Sequence, residues 1–252
     1  MLHADVTGSG PRVVLVHGFT QTRRSWGAVA ERLADRHELV LVDAPGHGRS
    51  AHVEADLWDG GAMIGEVGGR AAYLGYSMGG RFCLHLALQA PELVERLVLI
   101  GATPGIEELP ARMARRKADK DQAVLLFEIG LSDFLDRWLQ GPLFRDLSPE
   151  AADKEARMEN TLMGLAGSLR LAGTGRQEPL WHRLEELAMP VLLVVGERDE
   201  KFRAIAERMQ CVIGDNASLA VIPEAGHAAH LEQPQHFVHV VEAFLSGDRL
   251  HS

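Results

Sequence analysis

The stretch Gly75-Tyr76-Ser77-Met78-Gly79 constrains this chain more than any other. An apolar run, Ala71 to Leu74, leads into it, and an apolar helical pattern through Phe82, Leu84, Leu86, Ala87 and Leu88 follows at once. The reading is strand, sharp turn, helix. A serine on so tight a bend has crowded backbone neighbours, and glycine two residues to either side removes the clash. The serine oxygen then projects from the end of a sheet. The same turn sets the Met78 N–H at a helix start, where unpaired donors and the helix dipole favour a developing negative oxygen. Met78 is thereby one half of an oxyanion hole. A glycine-rich turn without chemistry can carry the same five letters, so the rest of the chain has to decide.

At 252 residues the chain has room for one large α/β domain or two smaller ones, with a sizeable core in either case. A net charge of −9 leaves no overall basic field to neutralise phosphates, which argues against nucleic acid as a partner. Cys83 and Cys211 sit in apolar contexts with no metal or disulfide spacing, and are expected to be buried, inert thiols. Met1 to Asp5 show no basic-then-apolar leader, and no run approaches the roughly 18 apolar residues of a membrane span. A cytoplasmic protein without membrane insertion is expected.

Along the chain, Arg12 to Val16 reads as a buried strand ending at His17-Gly18-Phe19-Thr20. A helix through Trp26, Val29, Ala30 and Leu33 follows, with Ser25 as its expected N-cap. Leu39 to Val42 is a continuous aliphatic run of the kind a doubly covered parallel strand shows. Between 51 and 70, Trp58, Met63, Ile64 and Val67 suggest a helix that glycines at 60, 61, 65, 68 and 69 weaken. Leu97 to Ile100, Val191 to Val195 and Leu219 to Ile222 are further strands, and Phe237 to Leu245 a closing helix. Alternation of strand and helix predicts a mostly parallel sheet with flanking helices. From Pro104 to about Trp181 the character changes to charged amphipathic helix, read as an inserted cap of several short, proline-terminated helices. The domain reading is core 1–103, cap 104–181, core 182–252.

A serine nucleophile needs a base to take its proton and an acid to orient that base. Gly196-Glu197-Arg198-Asp199 and Ala225-Gly226-His227 each follow a buried strand, giving the chain order Ser77, Asp199, His227 of the α/β-hydrolase fold. Phe19, after the first strand, would supply the second oxyanion donor from its backbone N–H. Asp43 is an alternative acid, and Asp199 an alternative helix N-cap, with Asp199 favoured as the triad acid. His47, His182, His236 and His239 read as structural or solvated, His230 is left open, and Glu232 reads as a surface charge.

With those residues in place the chain resembles the 2-succinyl-6-hydroxy-2,4-cyclohexadiene-1-carboxylate synthases of menaquinone biosynthesis, lyases in a hydrolase fold. The resemblance rests on His17-Gly18-Phe19-Thr20-Gln21-Thr22, Gly75 to Arg81, and Gly196 to Phe202. In the cap it rests on Pro104-Gly105-Ile106, Arg112, Arg115, Arg116 and Asp119, Trp138 with Pro142, Arg157 with Asn160, and Thr174-Gly175 before Trp181. It implies elimination of pyruvate from a small-molecule polycarboxylate, with Ser77, helped by His227 and Asp199, removing a ring proton. It implies neither metal nor organic cofactor, and Tyr76, Arg81, Arg115, Trp138 and Arg157 as substrate-binding residues. Arg81 lies one helical turn beyond Ser77, which independently puts a guanidinium on the serine's face. Arg112 to Lys117 alone reads as a solvated face; the resemblance singles out Arg115. The glycine-rich stretch 51–70 and Arg24 depart from the family pattern.

A carboxylesterase or C–C bond hydrolase would use the same triad, and a catalytically idle binding module the same fold. The arginines separate the first from the lyase, and the intact triad argues against the second. Oligomeric state is not legible in the sequence.

Overall fold

Runs of valine, leucine and isoleucine without polar alternation need cover on both faces. The computed structural model, which describes residues 1–247, supplies it with a seven-stranded sheet. The strands are β1 (Ala4–Thr7), β2 (Arg12–Val16), β3 (Glu38–Val42), β4 (Ala71–Tyr76), β5 (Val94–Ile100), β6 (Val191–Gly196) and β7 (Ala217–Ile222). Their order is β1-β3-β2-β4-β5-β6-β7, with β1 antiparallel to β3 and all other pairs parallel. The sequence reading missed β1, a short and half-exposed edge strand with little apolar pattern.

The helices in chain order are α1 (Gly27–Leu33), α2 (Leu57–Gly68), α3 (Met78–Gln89), α4 (Leu109–Leu139), α5 (Pro149–Ala152), α6 (Lys154–Arg157), α7 (Leu162–Ala172), α8 (Glu200–Ile213), α9 (Ala229–Glu232) and α10 (Pro234–Ser246). Val13, Leu15, Leu74, Val98 and Leu192 pack with Leu33 of α1 and Phe237 of α10. Their neighbours Val14, Val16, Tyr73, Leu97 and Leu193 point the other way, to Ile64 of α2, Phe82 of α3 and Met209 of α8. No helix among the described residues is long and apolar enough to cross a membrane.

Between β5 and β6 there are only helices. Where several short helices were expected, α4 runs 31 residues and bends at Gly130, whose φ of 81° breaks the helical path. Pro142 and Pro149 do open short helical turns. These helices have a small core of their own around Leu126, Phe134, Leu165 and Leu169, against which Phe19 of the sheet-end loop also packs.

Three local readings change. Ser25 does not cap α1, whose N-cap is Trp26 without a side-chain bond; it lies in a preceding helical turn, Arg23–Trp26, that Thr22 caps by accepting from Arg24 N–H while Ser25 accepts from Thr22 N–H as the other half of a capping box. The helix that glycine weakens on paper is a full 12 residues in α2. Its glycines are the face that meets α3: a Cβ on Gly60 would lie 2.3 Å from the Phe82 ring, and one on Gly61 3.0 Å from the Leu86 backbone nitrogen. Cys211, expected to be buried, is exposed, because α8 turns that position away from the sheet.

Gly60→Ala tests this packing. Helix propensity would gain about 1 kcal/mol, whereas forcing a methyl into the fully buried Phe82 ring costs about 1–3 kcal/mol. A lower urea midpoint is expected; a higher one would show that the glycine face is not needed.

Candidate active site

Ser77 closes β4 and precedes α3 with φ 49° and ψ −105°, a left-handed region that side chains avoid and that stores roughly 1–3 kcal/mol. The surrounding backbone leaves no room for side chains at the flanking glycines: a Cβ on Gly75 would lie 2.5 Å from the Gly79 carbonyl oxygen, and one on Gly79 2.0 Å from that of Val16. Ser77 N–H donates to Ile100 O at 2.8 Å, which ties the turn to β5.

His227 Nε2 lies 3.2 Å from Ser77 Oγ, and Nδ1 lies 2.7 Å from Asp199 Oδ2. With Nδ1–H donating to the carboxylate, Nε2 is left to accept the serine proton. The two roles weighed for Asp199 coexist: its other oxygen accepts from Phe202 N–H at 3.3 Å, capping α8. One carboxylate thus fixes a helix start and orients the imidazole. Asp43 is committed elsewhere, accepting from Arg23 N–H, Arg23 Nη1 and Arg49 N–H at 2.8–3.0 Å.

Glu232 is not a surface charge. It accepts from Gly226 N–H at 2.6 Å and Ala228 N–H at 3.0 Å, bracketing His227. Half-burial raises its pKa, the two amides acting against that rise. Sequence spacing gave no hint, because its partners are backbone amides of a loop.

The cleft over Ser77 is walled by Phe19, Met78, Arg81, Arg115, Trp138, Phe202 and His227 among others. Arg81 is buried, and burial above all, then the nearby Arg115, pulls its pKa down to about 9, so it stays charged at neutral pH. Its one hydrogen bond runs to the Ala172 carbonyl at 2.6 Å, and among the described residues no carboxylate pairs with it. Asp119 is already held by Arg115 Nε at 2.7 Å and caps Gly175 N–H at 3.0 Å. Trp138 stands edge-on to Phe19 at 5.1 Å, its buried indole N–H without a partner. A buried cation in the wall of a cavity suits an anionic ligand.

Tyr76 and Arg157, expected at the substrate, do not line this cleft. Tyr76 lies under the triad with its hydroxyl buried and unpartnered, and burial pushes its pKa up. Arg157 runs inward from α6 behind the Phe19–Thr20 loop, donating to Ala152 O at 2.7 Å and to Thr20 Oγ1. Both residues close the wall behind the Phe19–Thr20 loop. Arg24 does not enter the cleft either; it is exposed and pairs with Glu159.

The sequence profile of the Alpha/beta hydrolase family matches residues 13–240. A Bacillus subtilis protein provisionally named 2-succinyl-6-hydroxy-2,4-cyclohexadiene-1-carboxylate synthase is 35% identical, across 96% of this chain and 94% of its own. The Yersinia pseudotuberculosis enzyme of that name is 32% identical, across 94% and 88%. A solved structure of MenH from S. aureus superposes with a TM-score of 0.90 at 29% identity, covering 98% of this chain and 99% of that one. A pimeloyl-[acyl-carrier protein] methyl ester esterase of Nitrosomonas europaea is 31% identical, across 96% and 98%.

Two buried histidines brace the loop that carries Phe19. His17 donates from Nδ1 to Gly18 O at 2.8 Å and accepts from Ala44 N–H at 3.1 Å; His47 donates to Pro45 O at 3.0 Å and accepts from Thr20 N–H at 3.3 Å. Each is therefore neutral with a fixed tautomer. Burial, the first cause in both, lowers His17 to about 4 and His47 to about 3, and does the same to His85, at about 4, and His230, at about 3. The unfolded chain takes up protons on these rings below about pH 6.5, while the folded chain does not until its lower values are reached. Stability contributed at neutral pH is thus lost as pH falls from 6.5 toward 4. Urea midpoints at pH 7, 6 and 5 should fall in that order; equal midpoints would contradict neutral buried rings.

Proposed function

The chain belongs to the alpha/beta hydrolase family, and from that premise we propose that it is a carbon–oxygen lyase. Its reaction eliminates pyruvate from 2-succinyl-5-enolpyruvyl-6-hydroxy-3-cyclohexene-1-carboxylate, giving 2-succinyl-6-hydroxy-2,4-cyclohexadiene-1-carboxylate in menaquinone biosynthesis. The observation that carries this reading is Arg81, a buried cation in the wall of the Ser77 cleft that forms no ion pair among the described residues, the nearby Asp119 being held by Arg115. An apolar ester gives such a charge no partner, and a polycarboxylate does. The named relatives and the 0.90 superposition support the same choice.

The substrate and product differ by a proton at C2 and the enolpyruvyl group at C5. The C2 proton is acidic because it lies next to the succinyl carbonyl. Ser77, giving its own proton to His227 Nε2, takes the C2 proton, and the electron pair moves onto the carbonyl oxygen as an enolate. The Phe19 and Met78 N–H groups meet that oxygen, the role such donors have in acyl transfer. The enolate then re-forms the carbonyl, the ring gains its 2,4-diene, and the C5–O bond breaks. Pyruvate leaves as its enolate and takes up a proton. Arg81 and Arg115 hold carboxylates, with Trp138 donating from its indole N–H. The helices within 104–181 act as the cap, and the setting is cytoplasmic.

Acyl transfer is the second reading, because the same triad geometry serves it and a methyl ester esterase is among the relatives. Pyruvate release from the enzymatically generated substrate, coupled to lactate dehydrogenase and corrected for spontaneous elimination, separates the two. Ser77→Ala should lower the enzymatic rate by about 10²–10⁴. Arg81→Met should lower kcat/KM roughly ten- to hundredfold, the loss of a charged hydrogen bond or two. No pyruvate above background from folded wild-type protein would overturn the lyase reading.

A further inference from the structure

The loop that carries Phe19 is held from the cap. Thr20 has a φ of 67°, an uncommon conformation for a β-branched residue. All of its polar groups are taken: N–H by His47 Nε2 at 3.3 Å, carbonyl by Asn160 Nδ2 at 2.7 Å, hydroxyl by Arg157. On the other side, Gly18 N–H donates to Gln21 Oε1 at 2.9 Å, and Gly18 O accepts from Gln21 N–H at 3.2 Å. Between these tied residues the Phe19 N–H makes no hydrogen bond to any of the described residues. The loop presents one open donor.

Asn160 is 5% exposed and sits where three segments meet. Its Oδ1 accepts from Gly48 N–H at 2.9 Å, while Nδ2 donates to Thr20 O and, at 2.9 Å, to Arg157 O. An amide accepts and donates from one planar group. Aspartate could still accept from Gly48 but could not donate to Thr20, and alanine would strand both backbone groups in a buried site.

We propose that Asn160, a residue of the helical insertion, is a positioning residue for the oxyanion hole. It fixes the Thr20 peptide and so aims the Phe19 N–H at the reacting oxygen above Ser77. Arg157 shares the task through the Thr20 hydroxyl, which accounts for its burial behind the cleft. The hole is then complete only when the insertion is docked on the core. This deepens the lyase reading but rests on the triad and the hole, whatever the substrate.

The test compares Asn160→Asp and Asn160→Ala with Glu159→Gln, which removes ion pairs to Arg23 and Arg24 from the same segment without touching Thr20. Two rates are read: phosphonylation of Ser77 by a fluorophosphonate, in which Ser77 Oγ displaces fluoride and the phosphoryl oxygen enters the hole, and steady-state pyruvate release. Deleting an oxyanion donor costs about 10²–10³ in rate. A misaimed donor should cost part of that, roughly ten- to hundredfold in both phosphonylation and kcat, with KM changed less than about threefold and Glu159→Gln near wild type. Wild-type rates in folded Asn160→Asp would overturn the proposal. So would a Glu159→Gln loss as large as that of Asn160→Asp, which would mean general docking. Asn160→Ser covers the case in which the other variants do not fold. If no variant or wild-type protein releases pyruvate, the lyase reading falls, while the phosphonylation rates still decide the role of Asn160.

Discussion

The structure depends on how closely the start of α3 approaches the end of β2. Gly79 sits against the Val16 carbonyl so tightly that a Cβ would lie 2.0 Å from its oxygen. That contact sets the Met78 N–H beside the loop leaving β2, where Phe19 stands, and turns Ser77 out of the sheet with left-handed backbone. Strain of this kind survives only where the surroundings over-determine it. Here the Ile100 hydrogen bond, the two close glycines and the buried parallel strands on either side of β4 do so. Asp199 and His227 then need only follow β6 and β7 to arrive at the same edge.

The polar side chains around that core bond mostly to backbone. Glu232 brackets His227 through two amides, His17 and His47 brace the Phe19 loop, and Asp43 gathers Arg23 and Arg49. The cleft itself is less satisfied. Among the described residues the Arg81 guanidinium bonds a carbonyl and forms no ion pair, and the buried Trp138 indole N–H has no partner. Unpaired charge in a buried wall opposes folding unless something binds there. A carboxylated substrate removes that imbalance, which is why the cleft suits elimination from a polycarboxylate better than cleavage of an apolar ester.

The sequence makes legible what is local. Aliphatic runs reveal the strands, and a serine, an aspartate and a histidine each just beyond one reveal the triad order. What it hides is non-local. Glycine in α2 weakens a helix by propensity, and only the Phe82 and Leu86 surfaces of α3 explain why glycine is there. The family resemblance puts Arg157 and Tyr76 at the site but cannot say which side of the Phe19 loop they occupy; both lie behind it. Glu232 reads as a surface charge because its partners are backbone amides of its own loop, and the task of Asn160 is hidden because its partners are backbone groups of Gly48 and Thr20, far along the chain. β1 is illegible because an edge strand of two half-buried and two exposed residues has almost no pattern to read.

The central chemical claim is that Ser77 acts as a base and forms no bond to carbon. Intact-mass measurement of the protein, quenched by acid during steady-state pyruvate release, tests it most directly. The account predicts the unmodified mass while pyruvate accumulates. A substrate-derived adduct on Ser77 that forms and decays at the turnover rate would contradict it and make the protein an acyl-transfer enzyme.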